Sequence, residues 1–513
     1  MHWLTLPEPR KNITPAFHDI ASARLWLAGQ PQAQPMHMLA AICLQIEAIE
    51  AAKPAPALAV ELLDLLRTAA VPAQDIVEPR YVRKALPMLD DDQRAFDVSQ
   101  RLWMRLGTAY LRLAPHFAAS EKAKLLHRSA CALRMSEYCH FLAACECPTL
   151  IDQLLFSILD QAENNGLLRQ PLPDPDFPHL LETTIAGHVA WAFMLRVIDP
   201  YHLTSAQLAV ANRAISRWRE LAAFQAMPDD DPQGHSVDLR PLFGDTDTLP
   251  EGIPRWLDVR KVSRKIYQRI SALQEGESPE ALKLGRELAP AASIRLLRII
   301  EARFESNERR RSTEIGEIEL AFGAEFAYAV FTGEMISPSG SLNAESASIA
   351  HQRMAMFGFD RVSTMPTAVK KLNVPGENWV LVDGKAVRPA EREGARRQSP
   401  CLIASSALGA PRLGIMLGLQ KRPDDALAAD LQWYEERIEA GQLVRAKAPG
   451  QTLPVIPVFV LHDGDDCSLI APSNAGMRLN TGITLEGTSV SHLMPTEVLE
   501  RGVDFVRYAV AKQ

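Results

Sequence analysis

What this chain lacks narrows the reading first. No window approaches about 18 uninterrupted apolar residues, so no membrane-spanning helix is expected. The opening "MHWLTLPEPRKNITPAF" has no basic segment followed by an apolar core, so no signal peptide is expected and the protein reads as cytoplasmic. Cysteine is scarce: seven in 513 residues, odd in number and scattered, which suits a reducing compartment better than a disulfide framework. Positive charge is not in excess. Lys and Arg total 55 against 62 Asp and Glu, a formal charge of −7, which argues against broad nucleic-acid affinity but allows a local basic pocket for one small anion.

Catalytic signatures are missing too. The sequence has no GxxxxGK[ST], no GxGxxG after a strand, no HExxH and no GxSxG. No carboxylate arrangement reads as an acid/base pair. The expectation is a protein that is not an enzyme and needs no resident cofactor.

What is present is organised in two styles. The first 300 residues or so are helical in pattern. Leu39, Ile42, Cys43, Ile46 and Ile49 recur at steps of three and four. A second stripe, Leu58, Leu62, Leu65 and Leu66, follows the breaker "KPAPA". "RYVRKALPMLDDDQ" reads as a connector, and helices are predicted over 94–117, 120–146 and 148–165, the last closed by Asn165 and Gly166. "RQPLPDPDFPHL" (169–180) is the clearest linker. Beyond it Thr204 or Ser205 caps a helix with Leu208, Ala211, Ile215, Trp218 and Ala222 on one side.

Near residue 315 the period changes to two: Ile318, Leu320 and Phe322 alternate with Glu319 and Ala321. Further strands are predicted at Trp379–Asp383, Leu413–Leu419, Val455–Leu461, Ser468–Ala471 and Phe505–Val510. Residues 335–375 read as a long insertion. Short intervals between Gly/Pro breaks favour an antiparallel barrel or sandwich over βαβ units. The fold class is therefore α+β and multidomain: an all-α array, with subdomains 1–168 and 181–303, then an antiparallel β-barrel region over 304–513.

Four clusters invite chemical readings. Cys139, His140, Cys145 and Cys147 are soft metal ligands by type, but their C-x5-C-x-C spacing does not match paired zinc knuckles, and no metal site is assigned. "HDGDDCS" (462–468) lacks the glutamate that a calcium loop requires and reads as a hairpin turn. His188 and Trp191 are expected on opposite sides of an apolar helix, with His188 a core histidine. Arg309, Arg310 and Arg311 stand before the first strand. They read either as a clasp for phosphate oxygens and the guanine edge, or as a solvated edge neutralised by Glu305, Glu308, Glu314 and Glu317.

The order of these features resembles a proteobacterial family of cyclic-di-GMP effectors, with a helical N-terminal region and a C-terminal PilZ-like barrel. "ASARLWLAGQPQAQP", "VELLDLLRTAAV", "RYVRKALPML", "NNGLLRQPLPDP" and "VIDPYHLTSAQL" look like its helical half, and "ERRRSTEIGEIELAFG" stands where that family enters its barrel. The resemblance implies ligand binding by RxxxR and [DN]xSxxG motifs, and this sequence departs from both. Thr313 or Glu314 occupies the place of the second arginine. In "WVLVDGKAVR", Asp383 keeps the acidic position, but Lys385 replaces Ser and Arg388 replaces Gly. "ASSALG" keeps Ser406 and Gly409 but has Ala404 instead of the acidic residue. A true RxxxR, Arg392 and Arg396, comes after Asp383, in the wrong order.

Each lost charge-assisted contact costs about 1.5–3 kcal/mol, and about 1.4 kcal/mol is tenfold in affinity, so micromolar binding would fall towards millimolar. The implied ligand residues are Arg309, Arg310, Arg311 and Asp383, for cyclic-di-GMP or a related nucleotide. The helical region is expected to serve a protein partner. A ligand-free adaptor is the alternative reading.

Overall fold

The apolar stripe read at Leu39, Ile42, Cys43, Ile46 and Ile49 is buried throughout. Burying each such aliphatic side chain is worth about 1.5–3 kcal/mol. This stripe seats one helix in the core of the N-terminal region. The computed structural model describes residues 4–9, 12–228, 235–243, 255–305, 315–338, 366–370, 376–390, 395–406, 410–444, 455–464 and 466–512. The chain divides into two units: Met1–Lys84 with Met88–Arg309, and Ala85–Pro87 with Arg310–Gln513.

The first unit runs through α1 (Ile20–Ala28), α2 (Pro35–Ala52), α3 (Pro56–Val77), α4 (Asp90–Leu113), α5 (Ala119–Ala143) and α6 (Thr149–Asn164). It continues with α7 (Ile185–Val197), α8 (Ser205–Trp218), α9 (Arg260–Gln274) and α10 (Pro290–Glu305). Local signals set several boundaries. α4 begins at Asp90, inside the stretch read as a connector and four residues before the expected start, because Asp90, Asp91 and Asp92 favour the positive end of a helix. Gly166 takes φ +67 after α6. Thr204 and Gln207 close a reciprocal capping box on α8, Thr204 Oγ1 accepting the Gln207 amide and Gln207 Oε1 accepting the Thr204 amide. Two short pairings join the helices: β1 (Leu172–Pro173) with β2 (Glu182–Thr183), and a three-stranded sheet in which β5 (Trp256–Asp258) lies between β3 (Ala223–Gln225) and β4 (Ser236–Asp238).

The second unit bears out the switch to antiparallel barrel structure and adds to it, because its described residues form two closed six-stranded barrels. The first comprises β6 (Gly316–Phe322), β9 (Glu377–Val382), β10 (Lys385–Arg388), β11 (Cys401–Ser405), β12 (Arg412–Lys421) and β13 (Leu427–Trp433). α11 (Ala324–Thr332) and the pair β7 (Met335–Pro338) and β8 (Pro366–Lys370) lie between β6 and β9 in sequence; residues 339–365 of the expected insertion lie outside the described residues. The second barrel comprises β14 (Arg437–Val444), β15 (Ile456–Asp463), β16 (Asp466–Pro472), β17 (Ile483–Glu486), β18 (His492–Arg501) and β19 (Phe505–Lys512). Asp463 pairs with Asp466 across a tight turn, so "HDGDDCS" is a hairpin.

One apolar cluster joins the barrels. Leu402, Ala404, Leu413 and Ile415 of the first meet Phe459, Leu461, Ile470 and Phe505 of the second, with Ala327 and Tyr328 of α11 among them. Val458, Val460, Leu469 and Ala471 belong to another cluster, with Leu493 and Val506. β15 and β16 are thus buried on both faces, which is why they read as continuous apolar runs rather than alternating strands.

Candidate ligand-binding rim

β9 and β10 form a hairpin with Val382 opposite Lys385, leaving Asp383 and Gly384 as a two-residue turn. Both have positive φ, +51 and +77, the type I′ geometry for which an Asp-Gly pair is suited. Asp383 is exposed at the tip. Arg309, Arg310 and Arg311 lie outside the described residues, as do Glu308, Glu314 and Arg392.

The two residues that replace the family's Ser and Gly have other engagements. Lys385 Nζ stands 3.9 Å from Asp430 Oδ2 on β13. Arg388 is buried, and its Nη1 donates to Glu377 Oε2 at 2.8 Å and to the Ala395 carbonyl at 2.9 Å. Arg397 donates to Glu377 Oε1 through Nε at 3.1 Å and Nη2 at 2.5 Å. Each guanidinium also covers a ring: Arg388 over Trp379 at 5.4 Å, Arg397 over Phe322 at 3.8 Å. Burial pushes the Glu377 carboxyl up, but the two arginines outweigh it and hold the group below its usual range. Sequence reading singled out Arg388 only as a departure from a motif and missed Glu377 and Arg397. No local pattern links them: the β9–β10 pairing sets Arg388 near Glu377, and Arg397 stands in an isolated bridge to Leu86 before β11.

The tempting clusters of the helical unit are core groups. Tyr81 donates its hydroxyl to Cys139 Sγ at 3.3 Å, and burial pushes that thiol up to about 12. His140 packs edge-on to Phe96, and burial takes it down to about 3. His188 and Trp191 do not lie on opposite sides of α7. Three residues apart on a helix means one face, and their rings stack at 6.4 Å and 14°. His188 is indeed buried: Thr183 Oγ1 lies 3.0 Å from its Nε2 and 2.5 Å from His127 Nε2. Burial, reinforced by His127 and neighbouring arginines, drives the His188 imidazole well below its ordinary range.

Among the described residues, no helix is long and apolar enough to cross a membrane. No curated protein and no solved structure is similar enough to the chain to match it. Residues 21–230 match the family model described as cyclic-di-GMP receptor FimW, N-terminal domain. Over these residues the helical region is similar to the N-terminal domain of a cyclic-di-GMP receptor family, and the closed six-stranded barrel formed by β6 and β9–β13 fits a PilZ-like domain.

Proposed function

We propose that this chain is a non-enzymatic cytoplasmic regulator that responds to cyclic-di-GMP or a related nucleotide with weak or altered affinity. The match of residues 21–230 to a cyclic-di-GMP receptor domain carries this reading. In it, Arg309, Arg310 and Arg311 clasp phosphate before β6, Asp383 accepts from a guanine edge at the β9–β10 turn, and the helical half contacts a protein partner.

The hairpin supports an altered site over an intact one. Where the family motif has a glycine that lets a ligand approach the backbone, this chain has Arg388, committed to Glu377 and the Ala395 carbonyl. Lys385 brings a cation where the motif has a hydroxyl. A ligand binding here meets more positive charge and less backbone access than the motif provides.

Calorimetry on the full chain tests the proposal. Cyclic-di-GMP is expected to bind in the high micromolar to millimolar range, weakened at least tenfold by Arg309/Arg310/Arg311→Ala or by Asp383→Ala. No heat with any cyclic dinucleotide would leave the second reading, a ligand-free adaptor, which the commitment of Arg388 favours. That reading expects a partner retained by the full chain with or without nucleotide.

A further inference from the structure

α9 runs against the charge of the chain. Its 15 residues carry Arg260, Lys261, Arg264, Lys265 and Arg269 and no carboxylate, in a protein whose formal charge is −7. The placement is also locally unfavourable. Arg260 and Lys261 stand in the first turn, the positive end of the helix, where carboxylates are the stabilising choice. Arg260 and Arg264, like Lys261 and Lys265, are like charges four residues apart, and such pairs repel on a helix face. Packing holds the helix instead: Val262, Ile266, Ile270 and Leu273 are buried. Lys261, Arg264 and Lys265 fall on the opposite side. Local rules broken in this way are expected where function requires it.

Most of this charge is uncommitted. Arg260 is set aside, because its Nη2 donates to Asp258 Oδ2 at 2.7 Å. Burial pushes the Asp258 carboxyl up, but Arg260 and, more weakly, Lys261 outweigh this and hold it below its usual range. Lys265 Nζ reaches only the neutral Gln268 Oε1, at 3.2 Å. Among the described residues, exposed Arg264 forms neither a hydrogen bond nor an ion pair, and the same holds for exposed Arg298 on α10. α10 lies beside α9: the Tyr267 hydroxyl stands 3.5 Å from Glu305 Oε1 across the seam. Tyr267 on α9 and Ile299 on α10 are exposed as well.

Uncommitted cations accompanied by an exposed aromatic and an exposed aliphatic side chain fit a surface that is anionic outside and apolar just beneath. We propose that the α9–α10 surface docks on a bilayer rich in anionic phospholipid. Lys261, Arg264, Lys265 and Arg298 meet the headgroup phosphates, and Tyr267 sits at headgroup depth. Clusters of about four to eight Lys and Arg on an amphipathic helix suit this chemistry. The field of a membrane surface fades within a Debye length, about 8 Å at physiological salt. It therefore acts on the face presented to it and only weakly on the acidic remainder of the chain. A nucleic acid would gain from the cations but not from Ile299. The inference does not rest on the nucleotide reading, because α9 and α10 lie outside residues 21–230 and contain none of the residues assigned to nucleotide.

Co-sedimentation of the full chain with vesicles, without nucleotide, tests it. The chain is expected to pellet with phosphatidylcholine vesicles containing about 30 % phosphatidylglycerol, and to stay in solution with phosphatidylcholine alone. Raising salt from about 0.1 M to about 1 M, which shortens the Debye length from about 10 Å to about 3 Å, should release it. Each cation near such a surface is worth about fivefold in partitioning, so Lys261/Arg264/Lys265→Gln should weaken binding about a hundredfold. These are solvent-facing positions that repel one another, so the variant should keep its near-UV circular dichroism spectrum and lose no Tm. Arg24/Arg101/Arg169→Gln makes the same change in net charge at exposed sites elsewhere and should bind as wild type does. The proposal is overturned if the chain does not pellet with the anionic vesicles, or pellets equally with neutral ones. It is equally overturned if the α9 variant weakens binding less than about tenfold, or no more than the control variant. Tighter binding to a fluorescent oligonucleotide than to the anionic vesicles would overturn it in favour of a nucleic-acid surface.

Discussion

Arg67 shows what a single residue does in the helical unit. It is 1 % exposed, and its two Nη atoms reach Asp174 at 2.9 and 2.5 Å and Asp176 at 2.5 Å. A cation on α3 thereby ties down the proline-rich stretch 169–180. Removing one member of a buried pair strands the other, so Arg67→Ala should destabilise the protein by about 3–5 kcal/mol in urea unfolding. A loss below about 1 kcal/mol would contradict that role. Glu137 makes the opposite case. It is 0 % exposed, and among the described residues neither carboxylate oxygen has a hydrogen-bond partner. Burial and the nearby Asp152 push its carboxyl well above the usual range, against the pull of Arg196 and Arg134. The folded state therefore binds this proton more tightly than the unfolded chain, and the group's contribution to stability is lost as pH rises through the raised folded value. Glu137→Gln should flatten that decline, read as the difference between the two proteins' unfolding free energies across pH. Parallel curves would refute the assignment.

At the scale of elements, the close crossing of α4 and α5 depends on Gly107. A Cβ there would meet Leu133 Cγ at 2.6 Å, and the Gly107 carbonyl accepts the Ser129 hydroxyl at 2.7 Å. Gly107→Ala gains roughly 0.5–1 kcal/mol of helix propensity. Overpacking a tight core costs about 1–3 kcal/mol, so the net expected effect is a loss, seen as a lower Tm. A higher Tm would mean that Leu133 yields easily. The same scale explains what could be read in advance. The helical stripes and the Thr204 cap were legible because period and capping chemistry are local. The strands at 412–421, 456–463 and 466–472 were legible as apolar runs, but burial on both faces removes the alternation that would have told which barrel each joins.

For the whole molecule, long-range pairing decides the architecture. Ile318 pairs with Trp379 across the intervening α11 and β7–β8, and β13 is followed by a second closed barrel instead of returning to the first. Asp504, just before β19, reaches from the second barrel to the first: its Oδ1 accepts the Leu402 amide at 3.0 Å. Asp504→Ala should leave that amide without its acceptor and cost about 1–3 kcal/mol, whereas Asp504→Asn keeps an oxygen in place and should cost less. Equal losses for the two variants in denaturant titration would show that the amide contact is not what matters. The sequence by itself determined the α-to-β switch, the Thr204 cap and the Asp463-Gly464 turn, because periodicity, capping and turn conformations act over a few residues. Only the tertiary structure decided that Arg388 and Arg397 share Glu377 and that there are two barrels, since each of these depends on residues that the chain separates and only hydrogen-bonded pairing and burial bring together.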